Sequence, residues 1–142
     1  MQLMTFGKDG KTALGLVDNG SVVDLASVDP RLPKDMLSLI EAGPAALASV
    51  RAAAARAPAS ARLAIDSVKP ALPIARPPKF VCVGLNYAEH AKEGGHATPT
   101  YPSFFLRVNS SLIPAGAAVV RPKCSVQLDY ECELRPPHRH RR

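Results

Sequence analysis

The sequence predicts an α+β protein that opens on a small β-meander followed by two helices. Three observations carry this: an Asn-Gly pair between two apolar runs, an Asp-Met-Leu-Ser to Gly-Pro block with helix-boundary residues at both ends, and an Ala-rich run after it. Leu14-Gly15-Leu16-Val17 and Ser21-Val22-Val23-Asp24-Leu25 flank Asp18-Asn19-Gly20. Asn and Gly both accept the positive φ of a type I′ turn, so the two runs read as a hairpin. Lys8-Asp9-Gly10-Lys11 reads as an earlier turn of the same kind. Asp35 then sits at the N-cap of a helix over residues 36–43, with Gly43 as its C′ residue. Pro44 suits the first turn of a second helix that passes Leu47 and Val50 and reaches Ala57, where Pro58 and Ser60 stop it. Alanines form helix well and bury little, so this helix reads as scaffold. Arg62 to Val68 reads as a further strand.

Lys69 to Pro78 holds four prolines and continues neither a helix nor a central strand. It divides the chain into residues 1–70, a linker at 71–78, and a different composition over 79–134. Residues 135–142 form a basic tail. Lys79-Phe80-Val81-Cys82-Val83-Gly84 reads as a strand of buried type.

Composition excludes several classes. The 142 residues are 46% hydrophobic, enough for a packed core. The formal charge is +6, but four of the eighteen basic residues, Arg135, Arg139, Arg141 and Arg142, lie in the last eight positions. Without them fourteen bases face twelve acids, so the basicity belongs to the tail and argues against a nucleic-acid surface on the body. Cys82, Cys124 and Cys132 are odd in number and contain no CxxC pair, which argues against a disulfide framework or a zinc site and fits a reducing cytoplasm. No secretory pattern opens the sequence. The Ala45–Ala61 stretch is interrupted by Arg51, Arg56 and Pro58 and cannot span a bilayer.

Reactive side chains concentrate after the linker. In Gly84-Leu85-Asn86-Tyr87-Ala88-Glu89-His90-Ala91-Lys92-Glu93-Gly94, a strand ends and a short helical turn follows. His90 and Glu93, three apart, share a face of that turn. A carboxylate beside an imidazole fixes its tautomer and raises its basicity, as a general base requires. The same spacing also suits a solvated surface pair. In Leu128-Asp129-Tyr130-Glu131-Cys132-Glu133-Leu134, read as a strand, Asp129, Glu131 and Glu133 project to one face. That acidic row is either fully solvated or gathered around a divalent cation, and oxygen donors favour Mg²⁺, Mn²⁺ or Ca²⁺. Between the two lies Arg107, whose guanidinium suits a substrate carboxylate, with Ser110 to assist. A plain surface arginine is the other reading.

Taken in order, Val83-Gly84-Leu85-Asn86-Tyr87, His90 with Glu93, Pro102-Ser103-Phe104-Phe105-Leu106-Arg107, and Asp129-Tyr130-Glu131-Cys132-Glu133-Leu134 resemble the opening of the fumarylacetoacetate hydrolase catalytic domain. Residues 1–70 resemble the small N-terminal domain that precedes it in many bacterial members. The resemblance implies a mostly β catalytic domain, of which residues 79–134 supply the first strands. It implies His90 and Glu93 as catalytic residues, Tyr87, Arg107 and Ser110 at the substrate, and Mg²⁺ or Mn²⁺ on Glu131, Glu133 and a third carboxylate farther on. It also implies C–C bond hydrolysis in 1,3-diketo or 2-oxo acids of aromatic catabolism, with decarboxylation or isomerisation of hydroxymuconate-type intermediates as the alternative, and a homodimer.

After Leu134 the resemblance calls for an apolar strand, where the chain reads Arg135-Pro136-Pro137-His138-Arg139-His140-Arg141-Arg142. Two prolines interrupt a central strand's ladder. His-Arg-His-Arg read one base out of frame can encode Ile-Gly-Thr-Gly. The expectation is therefore a chain that stops before its catalytic domain is complete, without the third carboxylate, inactive by itself, and ending in an aberrant tail. A contrasting expectation is a non-enzymatic protein whose Arg/His tail binds nucleic acid or acidic surfaces.

Overall fold

The computed structural model describes residues 1–130, 133, 134, 136 and 137. They divide into two units: Met1–Ile74 with the described residues from Ile113 onward, and Ala75–Leu112.

The first unit is built on five antiparallel strands. β1 (Gln2–Lys8), β2 (Lys11–Asp18) and β3 (Ser21–Asp24) form the expected meander. Both two-residue turns take the positive φ that their sequences invite: Asp9 49° and Gly10 73°, then Asn19 45° and Gly20 77°. Lys8 thus pairs with Lys11, and Asp18 with Ser21. β3 stops one residue before Leu25, which begins the one-turn helix α1 (Leu25–Val28). Leu25 is thereby turned into the core, fully buried. α2 (Met36–Ala42) starts where expected: Asp35 Oδ1 accepts the Ser38 N–H at 2.8 Å. Gly43, at φ 76°, both ends α2 and begins α3 (Pro44–Ala55). α3 ends two residues short of Ala57, since the Arg56 and Ala57 N–H groups turn to carbonyls three residues back.

The Arg62–Val68 strand is corrected. Only β4 (Arg62–Ala64) is extended, paired with β3; Ile65–Ser67 is a 3-10 turn, and the Ser67 hydroxyl caps the Ala64 carbonyl at 2.7 Å. The chain then crosses to the opposite edge as β5 (Lys69–Pro70) beside β1, giving the order β4-β3-β2-β1-β5. A proline is tolerated there because an edge strand needs no donor on its outer side. The connector's next residues also belong to this edge: Ala71 N–H donates to Thr5 O at 2.8 Å and the Thr5 hydroxyl to Pro73 O at 3.3 Å.

One sheet face carries Leu14, Leu16 and Val23 against Leu25, Leu39, Val50, Ala53 and Ala54 from the helices. The alanines of α3 therefore pack close, consistent with scaffold. The other face holds Phe6 and Val22 around Gly15, all buried. Asp24 shares this face. Its side chain is 3% exposed and accepts from Lys8 Nζ at 2.5 Å and Ser27 Oγ at 2.6 Å, both through Oδ2. Oδ1 has no partner among the described residues.

Burial pushes the Asp24 carboxyl up, but the hydrogen bonds from Lys8 and Ser27 and the lysine's charge outweigh it, leaving the group below its ordinary 3.8. Asp35 is lowered by the Ser38 N–H, and Asp29 is held at about 2 by its hydrogen bonds from Arg31. A carboxyl depressed in the fold stabilises above its unfolded pKa and loses that contribution as pH falls through the folded value. Stability is therefore expected to be level down to about pH 5 and to decline from about pH 4 to pH 2. Asp24→Asn should flatten part of that decline. Urea midpoints across this range check it, and a midpoint that rises on acidification refutes it.

The second unit contains β6 (Val81–Gly84), the helix α4 (Ala88–Glu93) and β7 (Ser103–Leu106). β6 and β7 form a two-stranded antiparallel ladder. The buried strand expected over 79–84 is shorter and exposed or half-exposed, with Val81 at 48%, and in its partner β7 Phe104 stands at 65%. A two-stranded ladder offers no third strand to cover its side chains. The strand expected over 128–134 is not formed by its described members, Leu128, Asp129, Tyr130, Glu133 and Leu134, which are irregular and exposed.

Candidate active site

The register of the second unit sets the site. Val81 pairs with Leu106, Cys82 with Phe105, Val83 with Phe104 and Gly84 with Ser103. At the end of β6, Leu85 adopts φ 51°, a left-handed conformation that costs a branched side chain about 1 kcal/mol or more. The chain is thereby turned out of the strand at once, and Asn86 and Tyr87 lead into α4. Tyr87 is extended at the N-cap, and its carbonyl accepts the Ala91 N–H at 3.1 Å.

α4 is six residues long and is held by one buried side chain, Ala91, at 1% exposure. His90 and Glu93 lie on this turn three residues apart, His90 half-buried and Glu93 exposed. Helical spacing places both on one side of the turn. The C-terminal end closes in a Schellman pattern: Gly95, at φ 69°, donates to Lys92 O at 3.1 Å, and His96 N–H donates to Ala91 O at 2.8 Å. The sequence reading passed over His96. The Gly94-Gly95 pair directly after a short helix was the signal that places the next residue back over the last turn.

Arg107 continues the β6–β7 ladder, its N–H donating to Phe80 O at 3.0 Å. Its guanidinium lies 5.8 Å from the centroid of the Phe105 ring, two residues back on the same face of the strand. Arg107 belongs to the end of the ladder opposite Gly84, from which α4 departs. Four strand steps separate these ends, roughly 13 Å. Ser110 sits in the 3-10 turn Asn109–Ser111 that follows, exposed. Tyr87, His90, Glu93, Arg107 and Ser110 thus share one unit, with Tyr87, His90 and Glu93 on a single turn.

The expected metal ligands stand differently. Glu131 lies outside the described residues, and Glu133 is exposed on irregular backbone of the first unit. Among the described residues no group of three His, Cys, Asp or Glu side chains is placed to hold a metal ion. By donor chemistry, a pair of carboxylates such as Glu131 and Glu133 suits a hard divalent cation such as Mg²⁺ or Mn²⁺. No helix among the described residues is long and apolar enough to cross a membrane.

Residues 79–135 match the family model for the fumarylacetoacetate (FAA) hydrolase C-terminal domain. The chain is 38% identical over 116 residues to the oxaloacetate tautomerase Fahd2a, mitochondrial, of Rattus norvegicus, covering 81% of this chain and 36% of that protein. It is 32% identical over 128 residues to the fumarylacetoacetate hydrolase domain-containing protein 2 homolog of Dictyostelium discoideum, covering 90% of this chain and 41% of that one. A crystal structure of an HpcE protein from Mycobacterium smegmatis superposes with a TM-score of 0.54 at 29% identity, over 81% of this chain and 42% of the other. The chain thus spans well under half the length of these relatives. All seven candidate residues, from Tyr87 to Glu133, fall inside the segment matched by the family model.

Proposed function

Because the chain belongs to the fumarylacetoacetate hydrolase family, we propose that it serves an enzyme that moves a proton beside the carbonyl of a small 2-oxo acid, interconverting keto and enol forms. The observation that carries this is the segment from Tyr87 to Glu133, which lies within the family match and contains a histidine on a capped turn. Relatives at 38% identity named as oxaloacetate tautomerases support this reading over the other chemistries of the family.

In a 2-oxo acid the carbonyl acidifies the hydrogens on C3. The imidazole of His90 takes a C3 proton while the electron pair moves through C2 onto the carbonyl oxygen. The imidazolium then returns a proton to that oxygen, so no net charge or atom is gained. Glu93 stabilises the imidazolium and holds its tautomer. Arg107, with Ser110, receives a carboxylate of the substrate, and Tyr87, on the turn with His90, lies at its reacting end. A Mg²⁺ or Mn²⁺ on Glu131 and Glu133 is part of the proposal through the acidic pattern; when bound it would act as a Lewis acid on the 2-oxo oxygen. The family model's own name favours a second reading, in which His90 activates water and a C–C bond of a 1,3-diketo acid breaks. The cytoplasm is the proposed location, although the rat and human relatives carry "mitochondrial" in their names.

The two chemistries separate in heavy water. A tautomerase washes deuterium into C3 of oxaloacetate without cleavage, whereas a hydrolase converts an acylpyruvate to two acids. Neither exchange nor cleavage above the uncatalysed rate would remove the proposal. Metal binding is read separately by calorimetry. Two chain carboxylates with water in the remaining positions are expected to bind Mn²⁺ at about millimolar or weaker, and Glu131→Ala should weaken it further. Micromolar binding that survives Glu131→Ala places the ion elsewhere.

A further inference from the structure

We propose that Leu85 is the positioning residue for His90, acting through its left-handed backbone, which sets the direction in which the turn carrying the base leaves β6. The inference rests on the reading of His90 as the base. Leu85, Asn86 and Tyr87 join the last ladder pair, Gly84 with Ser103, to Ala88, where α4 begins. Tyr87 is extended, at φ −107° and ψ 129°. Of these residues only Leu85 has a positive φ, 51°. An extended residue in its place would carry the chain on along the strand, and a right-handed one would bend it to another side. The choice made at Leu85 is therefore passed to the whole of α4, and so to His90.

A leucine resists this conformation, because at positive φ its Cβ crowds the following carbonyl oxygen. Glycine would accept it freely, and a glycine stands one place earlier without using that freedom. Gly84 has no positive φ. A Cβ built on it would stand 3.7 Å from Ser103 Cβ and 3.8 Å from Ser103 O, which is ordinary contact. The left-handed step thus falls on the residue that pays for it. Strained backbone persists only where its surroundings hold it, and it gathers at active sites. Here both sides of Leu85 are held: Gly84 is paired in the ladder, and Tyr87 O accepts the Ala91 N–H at 3.1 Å. Tyr87 and His90 have interactions of their own. Those act on a turn whose direction is already chosen at residue 85.

The test separates backbone from side chain. Asn and Gly accept positive φ but lack the leucine side chain, whereas Val stays apolar and, being β-branched, resists positive φ. In the 142-residue chain labelled with ¹³C and ¹⁵N, the one-bond Cα–Hα coupling of residue 85, which falls at positive φ, reports the backbone. The His90 ring Cε1–H resonance reports the base, and methyl resonances of Leu25 and Val50 confirm that the first unit is intact. Leu85→Asn should keep the low coupling, and both it and Leu85→Gly should leave the His90 resonance in place. Leu85→Val should raise the coupling and move the resonance. If valine keeps the low coupling, Leu85→Pro, whose ring fixes φ at about −65°, takes its place with the same expectation. Where the wild-type chain turns over oxaloacetate, the variant with negative φ should lower kcat about tenfold at unchanged KM, as a displaced catalytic group does. Leu85→Asn should stay close to the wild type. The proposal is overturned if a negative φ at residue 85 leaves the His90 resonance unchanged. It is equally overturned if Leu85→Asn or Leu85→Gly moves that resonance as far as the negative-φ variant does, since the leucine side chain would then be what matters. A wild-type chain without turnover counts against the proposed function alone, and the resonances still decide the role of Leu85.

Discussion

Replacing His90 by alanine is expected to lower turnover of an enolisable 2-oxo acid by about 10²–10⁴-fold with KM within a few-fold of its original value. The asymmetry follows from what the imidazole does. In the proposed reaction it contacts the C3 proton only as that proton leaves, so its contribution would be made in the transition state and not in substrate binding. Substrate affinity is assigned instead to Arg107, whose place at the far end of the β6–β7 ladder separates it from the turn carrying His90. Arg107→Ala should accordingly raise KM more than it lowers kcat. Steady-state kinetics on both variants decides the matter. A His90→Ala variant within about threefold of wild type in kcat would mean that another group moves the proton.

Gly15→Ala should be the most damaging single methyl in the first unit, costing roughly 1–3 kcal/mol or more. Gly15 lies in the middle of β2, paired with Met4 and Asp24. A Cβ there would overlap Val22 Cγ1 and would stand 3.0 Å from Phe6 Cε1 and 3.3 Å from Phe6 Cδ1. Phe6 and Val22 are both fully buried. Val22 is β-branched and stiff at χ1, so it cannot turn aside cheaply. The Phe6 ring therefore has to lift from the sheet or β3 has to shift. Urea unfolding should show the midpoint displaced with little change in slope. An unchanged midpoint would show that the sheet yields at no cost. The phenylalanine is the natural partner for a rescue: Phe6→Leu removes the ring edge and should be less damaging in the Gly15→Ala background than in the wild type, a coupling that a double-mutant cycle measures.

The elements legible in the sequence are those decided by short-range chemistry. Asp9-Gly10 and Asn19-Gly20 make their turns because only such residues tolerate positive φ at both central positions, and no distant contact is needed to choose them. Asp35 caps α2 through a hydrogen bond within its own turn, and Gly43-Pro44 ends one helix and begins the next for equally local reasons. The segment that holds Tyr87, His90 and Glu93 was legible as family-like for another reason, its spacing and company, and the family match over residues 79–135 includes it.

What tertiary structure decided lies in the places where two distant segments meet. Arg62–Val68 is extended enough to read as one strand, yet only its first three residues pair with β3. The two residues that follow it, Lys69 and Pro70, pair with β1 at the opposite edge, and the break between depends on where β1 and β3 stand. Gly15 looks like an ordinary weak point of a strand until Phe6 and Val22 are brought over it. The left-handed Leu85 and the ring of His96 against Gly94 are of the same kind. A residue's own conformational preference acts over one or two bonds and can be read from its letter. Steric exclusion between residues far apart in the chain exists only once the fold has put them in contact.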